Sequence, residues 1–305
     1  MRFLPLFLFA ILFSGVAQAQ TSSDSVWLRN RAVGQSSFVY RLIRQEYITN
    51  ENDYFLDAKI DTAYIHFQRM GPVTDTGSVY RVLFAHNDDP KKLIRCDSWI
   101  PGDTAELIVS FNTGGKVTHL VNWKRFRDAL ASSMSKQVQA GLISGAEFEE
   151  KRQTLNQEAI VRRLVMEDIQ YVFHLSGDTT LIDAEYLRVK PVRSPFSGED
   201  YYLRGSMKVK AIPGSSSLLL SAANRAESEE KQWLMQECKA YMLEQGGQDA
   251  APLTELKGVG LNSEQEFHYE PSQRLFYRVI LSDVLVINNQ SRGNIRQWDL
   301  WDLYE

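Results

Sequence analysis

Five histidines, His66, His86, His119, His174 and His268, are the side chains best suited to metal or proton-transfer chemistry, and they are scattered along the chain. None stands in a His-Glu-x-x-His or His-x-His spacing that would aim two imidazoles at one metal. His86 with Asp88 and Asp89 comes nearest to a hard-cation cluster, and a solvated turn before Pro90 explains that group better. Gly114-Gly115-Lys116 resembles the end of a phosphate-binding loop, but the full motif needs Gly at 110 and Ser or Thr at 117. Ser110 and Val117 stand there, so the glycines read as a hairpin turn. No Gly-x-Ser-x-Gly nucleophile elbow occurs. The acidic pairs Glu149-Glu150, Glu167-Asp168 and Glu229-Glu230 are adjacent on helical segments, whereas acid–base hydrolysis needs two carboxylates facing each other across a cleft. They read as solvated helix faces. Trp298 and Trp301 near the C-terminus could stack on a sugar or peptide, and a terminal strand or turn that seals the core is the simpler reading. Asn289-Gln290-Ser291 matches a glycosylation sequon that also arises by chance. The sequence therefore assigns no catalytic and no metal-binding residue, leaves the binding residues unknown and implies no cofactor.

The elements that would position any site are mostly strands. Leu56, Ala58, Ile60, Thr62 and Tyr64 alternate with Asp57, Lys59 and Asp61, the period-two rhythm of a half-buried strand. Residues 36–49 fit either a helical stripe or a strand face and are read as a strand. Val79–Ala85, Leu93–Trp99, Ala105–Phe111 and Val117–Val121 continue as an antiparallel meander. Trp123, Phe126, Leu130, Met134 and Val138 then recur at helical spacing, behind a candidate N-cap at Asn122 and before a stop at Gly141. Ser144-Gly145-Ala146-Glu147 has capping-box spacing and announces a second helix to about Tyr171. Strands over 186–192, 201–212 and 217–223 precede a third helix carrying Leu234, Cys238 and Tyr241 on one face. The tail from Phe267 reads as three or four strands, with Leu275–Ile287 innermost. The order predicts an α+β fold, a curved antiparallel β-sheet with about three helices packed on one side. The βαβ alternation of a doubly wound nucleotide-binding sheet is missing.

Export is read from the first 19 residues. Arg2 supplies a positive start, Phe3–Phe13 an apolar run too short to span a bilayer, and Ala17-Gln18-Ala19 the small residues a signal peptidase reads. Cleavage before Gln20 leaves one α+β domain over 20–305, with two possible sub-halves meeting near 175–185. The location expected is periplasmic or secreted, with no transmembrane span. Without Arg2 the chain has 33 basic and 38 acidic residues, a balance that does not favour nucleic acid. Cys96 and Cys238 enter a compartment where a disulfide can persist, but Cys238 shares a helical face with Leu234 and Tyr241. Two buried free thiols are expected.

The strand-turn-strand of Glu106–Val121 running into Asn122-Trp123 and a helix, with the strand-rich tail, resembles exported proteins of Gram-negative envelopes. The layout is similar to the periplasmic lipoprotein carrier LolA and its half-barrel relatives. It carries no shared motif, so it transfers no functional residue. The resemblance implies a binding or carrier module for an apolar small molecule. An envelope module that docks another protein is the alternative, and a hydrolase without a recognisable motif is the third class.

Overall fold

The computed structural model describes residues 25–50, 55–86, 93–94, 106–197, 200–246, 256–288 and 290–304. Alternating apolar side chains produce the strands of the first half, β1 (Ser25–Trp27), β2 (Ser37–Thr49), β3 (Phe55–Arg69), β4 (Ser78–His86), β5 (Leu93–Ile94), β6 (Leu107–Phe111) and β7 (Val117–Leu120). Four helices follow: α1 (Trp123–Gln139), α2 (Gly145–Thr154), α3 (Glu158–Val165) and α4 (Glu167–Gln170). The rest is β8 (Thr179–Leu181), β9 (Glu185–Arg193), β10 (Asp200–Ala211), β11 (Leu218–Arg225), α5 (Ser228–Gly246), β12 (Val259–Glu270), β13 (Leu275–Ile287) and β14 (Gln290–Tyr304).

Twelve strands form one antiparallel sheet, in the order β7-β6-β4-β3-β2-β14-β13-β12-β11-β10-β9, with β5 paired to β4. The first and last long strands, β2 and β14, meet in its middle, so two meanders are joined by the chain's own ends. Among the described residues the sheet is open, with edges at β7 and β9, and β1 pairs separately with β8. The ambiguous stretch 36–49 is strand because Phe38, Tyr40 and Leu42 share one buried face.

One face of the sheet is covered in two places. Phe38, Phe67, Phe111, Trp298, Val279 and Leu220 pack with Phe126, Val161, Val165 and Phe173 from the α1–α4 region. The space there is filled by rings: Phe38 stacks on Phe67 at 4.4 Å between centroids and Phe173 meets Phe111 at 4.8 Å. A second, smaller cluster joins Tyr201, Leu203, Val259 and Leu261 to Leu234 and Cys238 of α5.

Several local expectations need correction. The helix expected over 144–171 is three helices, bringing the total among the described residues to five. Helix α2 buries no residue, and the chain must turn before α3 so that Val161 and Val165 can face the sheet. Asn122 stands at the N-cap of α1, but its side chain serves β6: Oδ1 accepts from the Ile108 N–H and Nδ2 donates to the Glu106 carbonyl. Half of the capping box forms, with Ser144 Oγ accepting from the Glu147 N–H at 3.1 Å, while the Glu147 carboxylate turns to Lys151. Gly141 ends α1 in the left-handed region at φ 71°, as its position predicts. In β13 burial alternates: Val279 and Leu281 are buried while Ile280 lies on the opposite face, so only one face of this strand is innermost. Tyr241 does not share the buried face of Leu234 and Cys238 and is exposed. Trp298 is fully buried, but Trp301 is the extra residue of a bulge between Leu300 and Asp302, exposed between Arg41 and Tyr64.

Candidate functional site

Residues directly opposite each other in an antiparallel ladder share a face. Following the registers across eight strands therefore traces one row: Arg188 on β9, Gly205 on β10, Asn224 on β11, Ser263 on β12, Asp283 on β13, Asn294 on β14, Glu46 on β2 and Lys59 on β3. Apart from Gly205 every member is polar or charged. The row runs on the helix-covered face, because each strand's alternation places it in phase with buried neighbours such as Leu203 and Met207, Ala222, Leu261 and Phe267, and Leu281. It separates the two apolar clusters. Asn224 and Ser263 are buried, and the row becomes exposed towards β2 and β3.

Side chains from either side converge on it. Lys190, one step from Arg188 on the same face of β9, donates to Ser263 Oγ and pairs with Asp283 at 3.0 Å. Arg296 lies 3.7 Å from Asp283 and 3.4 Å from Asp168 of α4. Asp168 also takes Arg44, which lies 3.5 Å from Asp61. Lys190 and Arg296 both stand over the Tyr171 ring, 5.9 and 5.4 Å from its centroid. Arg188 donates to Gln265 Oε1 at 3.4 Å and meets His174 Nε2 at 2.8 Å. Burial pulls the Lys190 ammonium below its ordinary value, which the Asp283 charge opposes. His174 is pushed down to about 4 by loss of water on its protein-facing side and by the Arg188 and Lys116 charges, although one edge of the residue stays exposed. A neutral imidazole that accepts from Arg188 is chemically consistent with both facts.

Charges held between apolar walls interact strongly and discriminate between ligands, since little water screens them. The arrangement can bind and orient a polar group. Among the described residues no group of three or more His, Cys, Asp or Glu side chains is placed to hold a metal ion.

Of the residues weighed from sequence, Asp168 and His174 reach this network, and Asp168 is part of an ion-pair chain rather than a solvated helix face. His66 and His268 lie on the opposite face of the sheet, and His119 is on the edge strand β7. Gly114 and Gly115 form the β6–β7 turn around Asn112, whose Oδ1 accepts from the Gly114 and Lys116 N–H groups. Glu149 pairs with Arg152 in the open. Cys238 is a buried free thiol; Cys96 and the Asp88-Asp89 turn lie outside the described residues. Arg188, Lys190, Asn224, Ser263 and Arg296 carried no local signal in the sequence. The one clue was phase: on β9 the apolar Leu187 and Val189 alternate with Arg188 and Lys190, and it is the charged pair that faces inward.

No family model matches the chain, and no curated protein matches it. A solved structure of lipovitellin, concerned with its lipid–protein interactions, aligns with 89% of this chain at 8% identity and a TM-score of 0.38. The chain spans 26% of that protein's length, and a likeness at this level identifies neither a family nor a ligand.

Proposed function

We propose that this chain is an exported, non-enzymatic binding or carrier module whose ligand meets the polar row between the two apolar clusters. The observation that carries the reading is the row itself, eight strands wide and buried at Asn224 and Ser263. Apolar residues at these positions would merge the two clusters into one core, and replacing buried ion pairs by packed apolar groups is commonly neutral or stabilising. Stability alone therefore does not account for the charges, and recognition does. Arg188 and Lys190 on the edge strand β9 reach partners on β12 and β13, which supports a sheet that curls over the row as in half-barrel carriers. Apolar rows on both sides favour a ligand with an apolar body and a polar group.

The test is native mass spectrometry of the protein purified from its own source, with the N-terminus read in the same sample. A retained small molecule and a chain beginning at Gln20 are expected. Protein that carries nothing, in native spectra and after organic extraction alike, overturns the reading.

A second reading rests on a separate observation: on the sheet edge β9, Leu187 is 94% exposed, beside exposed Val189 and Tyr202. An edge strand with apolar side chains is suited to strand addition by another protein, and a co-purifying protein lost on Leu187→Lys would favour it.

A further inference from the structure

We propose that Arg188 is the receptor for a single anionic group, a carboxylate or a phosphate, on the ligand that the polar row takes. The inference rests on the binding-module reading above and names the chemistry of its ligand.

The charge pattern carries it. Around the row Lys116 pairs with Asp178 at 3.3 Å, Lys190 with Asp283, Arg296 with Asp168 and Asp283, and Arg44 with Asp168 and Asp61. Four cations thus face four carboxylates. Glu46 and Lys59 stand opposite each other at the exposed end of the row. Arg188 is a further cation at its half-buried end, and among the described residues no carboxylate lies within ion-pair distance of it. The groups in contact with it are neutral: the His174 imidazole, the Gln265 amide and, at 3.7 Å, the Met207 thioether; the Asp178 charge acts on it from beyond ion-pair distance and is already shared with Lys116. Burial draws the guanidinium below its ordinary value, so water compensates its charge poorly. A guanidinium in that position presents a planar fork of donors that matches a carboxylate or phosphate.

A second observation points to the same place. Asn224 stands in the same cross-strand row, with only Gly205 between it and Arg188, and is 1% exposed. Its Oδ1 has no hydrogen-bond partner among the described residues. A buried orphan amide is costly unless something bonds to it. Turned over, the same amide offers N–H donors to an anion held by Arg188. His174 supports the assignment because it accepts from Arg188 as a neutral ring, leaving the surplus positive charge on the guanidinium.

The test is calorimetric titration of the full mature chain and of Arg188→Gln with oleate, methyl oleate, acetate and inorganic phosphate. Oleate bound at least about tenfold more weakly by Arg188→Gln, with methyl oleate weak for both proteins, supports the receptor and gives the anion a lipid source. Acetate or phosphate bound by the parent and lost in the variant supports it with a small free anion as the source. An anionic probe, whether oleate, acetate or phosphate, bound equally by both proteins overturns the receptor and leaves the binding module standing. The same holds if no probe binds but a ligand co-purifies equally with both. If no probe binds and nothing co-purifies, the module reading falls and the receptor falls with it. Arg188→Lys, which keeps the charge and loses the fork, is the second variant should Arg188→Gln fail to fold. A roughly threefold to tenfold loss is expected for it, and unchanged binding overturns the assignment.

Discussion

Breaking the Lys190–Asp283 pair from either side should give unequal losses, and removing both should cost no more than losing Lys190 alone. The two side chains are 14% and 27% exposed and 3.0 Å apart. At an effective dielectric near 20 their gross attraction is about 5 kcal/mol, and desolvation of the two ions offsets most of it. Asp283→Asn strands the ammonium beside Ser263 and the Tyr171 face, at a cost of about 2–3 kcal/mol for a partly accessible site. Lys190→Met leaves Asp283 with Arg296 at 3.7 Å, so about 1 kcal/mol is expected. The double variant Lys190→Met/Asp283→Asn should lose about 1 kcal/mol, giving a coupling near 2 kcal/mol. Urea unfolding of the four proteins at pH 7.5, followed by tryptophan fluorescence, measures the cycle. A pH arm adds a sign. Without Asp283 the Lys190 pKa falls further below its ordinary 10.5, because the opposing charge is gone. A depressed folded pKa means that stability is present above the ordinary value and is lost as pH falls through the folded one. Asp283→Asn should therefore recover stability as pH rises towards 10.5, whereas the double variant should not. Losses that add within about 0.5 kcal/mol, or an Asp283→Asn deficit that is flat with pH, would refute the pairing energetics.

Three further outcomes follow from burial and titration. Leu281→Asp should abolish soluble expression because it buries an unpaired charge, while Ile280→Asp, on the other face of β13, should fold with a loss of no more than about 2 kcal/mol; equal yields of the two variants would refute the difference between the strand's faces. His174, held down at about 4 against an ordinary 6.5, should contribute stability that is full above pH 6.5 and is lost as pH falls towards 4. Solvent screening at its exposed edge keeps this to about 1 kcal/mol, and an unchanged pH slope of melting temperature in His174→Gln counts against it. The Cys238 thiol, raised by burial, should react with a thiol reagent only on unfolding, and rapid native labelling at Cys238 would contradict its place on the sheet-facing side of α5.

Strand content was readable because a half-buried strand writes its burial into alternate residues, as β12 does along its whole length. In β3 the element was right but the phase was wrong: Ala63, Ile65 and Phe67 are buried, while Leu56 and Ile60 of the expected inner face are exposed. Helix breaks were not readable. Residues 146–165 contain neither proline nor an internal glycine, and the turn between α2 and α3 is imposed by where Val161 and Val165 must land. The place of β14 was hidden for a related reason. Its pairing with β2 joins residues more than 240 positions apart, and nothing local in either strand names its neighbour. Tryptophan content was visible at 298 and 301, and their odd spacing puts the two rings on opposite faces of a strand, but which ring is buried depends on the register with β2.

The polar row shows why the site was harder to read than the fold. Each member is unremarkable in its own strand: a serine in β12, an asparagine in β11, an aspartate in the most apolar strand. Asp283 was noticeable in sequence only as an interruption of an apolar run, and its partner Lys190 is 93 positions away. What makes the row a chemical unit is that seven successive ladders bring one inward residue from each of eight strands into line. A one-residue slip in any ladder would turn its member to the other face and substitute an outward neighbour. The row is therefore a property of register, which the two apolar clusters fix from either side by holding Leu203, Leu261 and Leu285 on one flank and Met207, Ala222 and Leu281 on the other. The packing that stabilises the sheet is thus what aligns the charges, and a register slip there would be felt in binding as well as in stability.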